Sequence, residues 1–211
     1  MILWGGGLQG PTVVPGTYQV RLTVGGESQT QSFEVRKDPR LSTTLADYQK
    51  RFDLHLKIRD KLTETHDAIV RLRDVRSQVK AVAERAKGVT KDSSLAVAAR
   101  ALSDSLTAIE EELYQTKSRS SQDPLNYPIK LNNKLSDLTS VVASADAAPT
   151  AQCYVVYEDV AGKIDVQLAK LTRVLGDPLA RFNLMVREQD VPAVVIRKAK
   201  ESGKGTPPAS P

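Results

Sequence analysis

The sequence predicts a mainly α protein: an elongated antiparallel bundle of about four helices, the first very long, preceded by a short β-hairpin. Three observations predict it. From residue 42 onward, aliphatic side chains recur at steps of three and four, the period of one helix face. Before residue 40 the apolar residues alternate with polar ones, the period of a strand. Hydrophobic residues make up 40% of the 211 residues but aromatics only 5%, so the core must be built from Leu, Val, Ile and Ala. The expected division is a hairpin segment over 1–40, a helical bundle over 41–190, and a basic Pro/Gly/Lys tail over 191–211 that is largely disordered.

Pro15-Gly16 opens the first strand, with Tyr18, Val20, Leu22 and Val24 on one face and Gln19, Arg21 and Thr23 on the other. Gly25-Gly26 supplies the positive φ of a tight turn. The second strand, 28–36, turns Phe33 and Val35 inward, and Asp38-Pro39 ends it. Two strands are marginal in water; a third strand from Met1–Trp4, or a helix, has to cover their apolar face.

The first helix starts near Ser42–Thr44, where Thr44 and Asp47 form a capping box with Asp in place of the usual Glu. Its stripe runs through Leu45, Tyr48, Phe52, Ile58, Leu62, Ile69, Leu72, Val79 and Val82, with no Pro or Gly before Gly88. That predicts about 45 residues, or about 65 Å, a length that needs partners throughout. Asp92-Ser93-Ser94 caps a second helix whose stripe is Leu95, Ala99, Leu102, Leu106, Ile109 and Leu113. A long loop, 118–130, precedes a third helix with Leu131, Leu135, Leu138 and Val142. Ala147-Ala148-Pro149 breaks it. A fourth helix, 151–175, aligns Tyr157, Val160, Ile164, Leu168, Leu171 and Leu175. Gly176-Asp177-Pro178 ends it and begins a last helix, 178–188, carrying Phe182 and Met185.

Thirty basic residues against 25 acidic give a formal charge of +5 and an isoelectric point near 9.3. A basic nucleic-acid binder is therefore one reading. The excess is small and mixed along the helices, and much of it lies in Arg197, Lys198, Lys200 and Lys204. The single cysteine, Cys153, excludes an intrachain disulfide framework. No apolar run approaches the length of a membrane span. Met1–Gly5 lacks the basic and apolar regions of a leader, so the chain is expected to be cytoplasmic as expressed.

Candidate sites are few. Gly5-Gly6-Gly7-Leu8-Gln9-Gly10 matches G-x-G-x-x-G in letters, but Pro11 and Pro15 forbid the helix that a dinucleotide fingerprint requires, so these are turn glycines. His55 and His66 lie about 16 Å apart along one helix and cannot ligate one metal ion. They border the apolar stripe and read as helix-packing or rim residues. If chemistry is present, the catalytic candidates are His55, His66 and Asp67, with Asp53, Asp60 and Glu64 as further groups that would have to converge with partners from another helix. Glu110, Glu111 and Glu112 splay around their helix, as do Glu158 and Asp159, and read as a solvated face. Cys153 reads as a small buried apolar residue. No cofactor or metal is expected. Tyr18, just after Pro15-Gly16, suits the tyrosine corner of an immunoglobulin-like sandwich.

Met1-Ile-Leu-Trp-Gly-Gly-Gly, Pro15-Gly-Thr-Tyr-Gln-Val-Arg-Leu-Thr-Val24, Phe33-Glu-Val-Arg-Lys-Asp-Pro-Arg40 and Pro124-Leu-Asn-Tyr-Pro-Ile-Lys-Leu-Asn-Asn-Lys134 resemble the C-terminal region of large bacterial BNR-repeat proteins, glycosyl-hydrolase-like or sortilin-like β-propellers. The resemblance runs to about residue 190. It implies that Met1 is internal to a longer, exported parent, and that the hairpin is the remnant of an immunoglobulin-like sandwich. It carries over no functional residue. A hairpin stripped of its earlier strands has unpaired edges, so self-association through the β segment is expected.

These observations predict a non-catalytic structural or interaction module beside propeller domains. A hydrolase of glycosidic or ester/lactone type, inherited from the family label, is the alternative. A weak nucleic-acid binder is the second alternative.

Overall fold

The computed structural model describes residues 10–89 and 92–193. Two strands, β1 (Gly16–Val24) and β2 (Glu27–Val35), are followed by five helices: α1 (Leu45–Ala86), α2 (Ser94–Leu113), α3 (Leu131–Ala143), α4 (Ala151–Leu175) and α5 (Asp177–Glu188). The glycine-rich stretch before Gly10 and the basic tail from residue 194, including the expected disorder there, lie outside the described residues, as does the proposed third strand at Met1–Trp4.

The hairpin is antiparallel, pairing Tyr18 with Phe33 and Val24 with Glu27. Gly25 (φ 60°) and Gly26 (φ 90°) make the two-residue turn, a conformation that glycine adopts without a Cβ penalty. The alternation is as expected, but the face is not buried. Val20, Leu22, Val24 and Phe33 are all exposed, and neither core cluster contains a strand residue. Period two fixes which side chains share a face; burial needs a covering layer, and among the described residues none packs there.

Thr44 caps α1. Its hydroxyl accepts from the Asp47 backbone N–H, and the Asp47 carboxylate accepts from the Thr44 N–H in return, at 3.2 and 3.1 Å. Asp thus closes the box as Glu would. The helix runs 42 residues, about 63 Å. Ile58, Leu62, Ile69, Leu72 and Val79 are buried as the stripe predicts, whereas Leu45 is exposed on the first turn. At α2, Asp92 does the capping: it accepts from the Ser94 N–H and Oγ, while Ser93 makes no side-chain cap bond. All six stripe residues of α2 and all four of α3 are buried.

Contacts along α1 fix the topology. Arg76 meets Thr107 and Arg73 meets Glu110, so α2 runs antiparallel over the C-terminal half of α1. His55 meets Thr139 and Arg51 meets Asp146, so α3 runs antiparallel over the N-terminal half. The two therefore form one interrupted arm. The third arm, α4, meets α1 through Lys61 and Asp165 and touches both α2 and α3. Gly176 turns the chain into α5, whose Phe182 closes the far end against Val79, Leu95 and Leu102. The elongated bundle is present, and its helices are arranged as three arms.

Candidate functional site

The sequence-derived candidates do not meet. His55 Nε2 lies 3.2 Å from the Thr139 carbonyl oxygen, so that nitrogen carries the proton and donates across the α1–α3 seam. Burial pushes its pKa down, Arg51 adds to this, and the Thr139 bond opposes it. His66 Nε2 accepts from Asn132 Nδ2 at 3.5 Å; burial again lowers its pKa first, with Asp67 opposing. Asp53, Asp60, Glu64 and Asp67 are exposed. Glu64 shares Lys61 with Asp165 in an ion-pair chain on the α1–α4 surface. Cys153 is buried, with its sulfur 3.4 Å from Thr150 Oγ1. Among the described residues no group of three His, Cys, Asp or Glu side chains is placed to hold a metal ion, and no helix is long and apolar enough to cross a membrane.

A built polar site lies elsewhere, where the second arm is interrupted. Glu110, on the last turn of α2, is only 2% exposed, which corrects its reading as a solvated residue. Its two oxygens take separate arginines of α1: Arg73 Nε donates to Oε1 and Arg76 Nη2 to Oε2, each at 2.5 Å. Arg76 Nη1 also donates to Thr107 Oγ1 at 3.0 Å. The Arg73 guanidinium stands 5.0 Å from the centroid of the Tyr114 ring, over its face, a cation–π arrangement. The spacing held a signal that the run of three glutamates hid. Glu110 is four residues after Leu106 and three before Leu113, and Arg76 is four after Leu72 and three before Val79. Both therefore lie on the packed stripes.

The loop after α2 completes the site. The carboxylate of Asp123 accepts from the backbone N–H groups of Arg119 and Ser120 and from Ser120 Oγ, which folds 119–123 into a tight turn. That turn brings Thr116, Ser118 and Arg119 to a cavity of about 680 Å³ shared with Arg73, Arg76, Thr107, Glu110 and Tyr114. Ser118 is 7% exposed, and its hydroxyl has no hydrogen-bond partner among the described residues.

A second feature stands apart from the bundle. One face of the hairpin carries the exposed apolar row of β1, with Leu22 at 64% and Val24 at 69%, opposite Phe33, Gln31, Gln29 and Glu27 of β2. The other is polar and closed by its own cross-strand bonds, Arg21 to Thr30 and Thr23 to Ser28. At the base of the hairpin the Tyr18 hydroxyl donates to the Val14 carbonyl at 2.6 Å.

Comparison with family models, with curated proteins and with solved structures gives no match.

Proposed function

We propose that this chain is a non-catalytic structural and interaction module: a helical rod that carries a docking hairpin, drawn from the C-terminal side of a larger, exported BNR-repeat propeller protein. The observation that carries the reading is the two-faced hairpin. Val20, Leu22, Val24 and Phe33 hold apolar surface in water, where each buried side chain would gain about 1.5–3 kcal/mol. Exposed apolar patches of this kind mark contact sites. The Tyr18–Val14 bond supports an immunoglobulin-like origin, because a tyrosine corner ties its hydroxyl to the backbone a few residues upstream.

In the parent, the apolar face packs on the earlier strands of the sandwich. In this chain alone, the partner is a second copy. An isologous dimer apposes the same face of two chains, and among the described residues the two-stranded sheet leaves both edges unpaired. Sedimentation velocity over a concentration series tests this. The chain forms a concentration-dependent dimer, and Leu22→Glu remains monomeric with unchanged helical circular dichroism. A chain that stays monomeric throughout, or a dimer indifferent to Leu22→Glu, overturns the reading.

A further inference from the structure

We infer that the cavity at the break between α2 and α3 is a binding site for a small phosphate monoester. Its lining carries three arginines against one glutamate, an excess of two positive charges. A phosphate monoester carries about −1.5 to −2 at neutral pH, with a second pKa near 6. The charges match without a large net residue on either side.

The arginines divide the work. Arg76 is committed at both terminal nitrogens, to Glu110 and to Thr107. Arg73 spends only Nε on Glu110, which leaves its terminal nitrogens for a ligand. Its side chain is 41% exposed, so those nitrogens are reachable. Arg119 has an exposed side chain on the loop. Glu110 is a positioning residue: each of its oxygens holds one guanidinium, which fixes the plane of Arg73 and offsets the carboxylate charge. Planar guanidinium forks suit the paired oxygens of phosphate.

Ser118 is the observation that a purely structural ion-pair cluster does not explain. A buried hydroxyl left without a partner costs about 1–3 kcal/mol. Ser118 lines the cavity, and rotation about its χ1 brings the hydroxyl to a phosphate oxygen that accepts from it. The cavity volume, about 680 Å³, falls in the range of about 300–1,000 Å³ for small-molecule sites. The depression opens to solvent, so an organic group on the phosphate extends outward from the ion rather than into an enclosed space.

The inference stands independently of the hairpin and is tested in the Leu22→Glu chain as well as the unsubstituted chain. Calorimetric titration uses phenyl phosphate, inorganic phosphate and benzoate as probes. Phenyl phosphate binds most tightly. Inorganic phosphate binds more weakly, and benzoate gives no saturable heat. Affinity for phenyl phosphate falls as pH drops from 7.5 to 5.5, as the ligand loses its second charge. Arg119→Gln, at an exposed position, weakens binding at least tenfold with the melting temperature unchanged. Ser118→Ala weakens it severalfold. Absence of phenyl phosphate binding, equal binding of benzoate, or full affinity in Arg119→Gln overturns the assignment.

Discussion

Arg76 and Glu110 face each other across the α1–α2 seam at 2.5 Å, with the Glu110 side chain 3% exposed and that of Arg76 19%. A carboxylate so deep is stable only while paired, because an unpaired buried charge carries its full desolvation cost. Glu110→Leu leaves two guanidinium groups facing an apolar side chain. The expected loss is about 3 kcal/mol, at the lower end for a buried pair because Arg73 retains access to water. Glu110→Gln keeps an acceptor and loses less. Urea unfolding of the three proteins measures the order; equal stability of Glu110→Leu and the unchanged chain would show that the cluster contributes nothing to the seam.

The aliphatic seam itself makes a sharper contrast. Leu72 and Leu106 are fully buried, one on each side of the α1–α2 contact, whereas Val97 on α2 is 67% exposed. Leu106→Ala removes buried methyl groups and leaves a cavity, costing about 3 kcal/mol. Val97→Ala changes stability by no more than about 0.5 kcal/mol. Matching losses in a thermal melt would mean that α2 does not pack through the stripe that contains Leu106.

Much of this was legible because helix faces repeat. Leu95 to Leu113 on α2 and Leu131 to Val142 on α3 mark their buried sides without reference to any partner. Stripe spacing separates Glu110 from Glu111 and Glu112, but its partners were not legible, because the arginine pair opposite lies on a helix more than thirty residues earlier. Nor could spacing show that α2 and α3 lie end to end along α1: that depends on where each docks, which the Arg76–Thr107 and His55–Thr139 contacts decide. On β1, alternation placed Val20, Leu22 and Val24 on one face correctly and their burial wrongly, because periodicity reports sidedness and says nothing of a covering layer.

The two histidines make stability depend on pH. Burial holds both pKa values below the ordinary 6.5. Above about pH 6.5 both folded and unfolded chains are neutral at these sites, and the full stability is present. As pH falls below that, the unfolded chain takes up protons first, so stability is lost until the folded imidazoles also protonate. At His66 protonation also removes the acceptor that Asn132 uses. Urea unfolding at pH 7.5 and 5.5 shows lower stability at the acid value, and the combined His55→Gln, His66→Gln chain shows a smaller difference. A pH response of unchanged size in that double variant would place the titration elsewhere.

Asp123 organises the loop between α2 and α3. Its carboxylate takes the Arg119 and Ser120 N–H groups and the Ser120 hydroxyl, and these bonds hold its pKa below the usual carboxylate range. Asp123→Ala frees those donors while leaving the helical seams untouched. Hydrogen–deuterium exchange at Arg119 and Ser120 then rises severalfold, while the amides of Leu72 and Leu106 stay protected. Because the turn sets the positions of Ser118 and Arg119, phenyl phosphate binding weakens in the same variant although no charge that faces the ligand has been removed. The order of events separates two roles: exchange that rises with binding intact makes Asp123 a loop staple only, whereas exchange and binding that change together make the turn part of the site. The contribution of Asp123 persists above the unfolded carboxylate pKa and disappears as pH drops through its lowered folded value, so loop protection in the unchanged chain survives at pH 5.5 even where the histidine contribution has been lost.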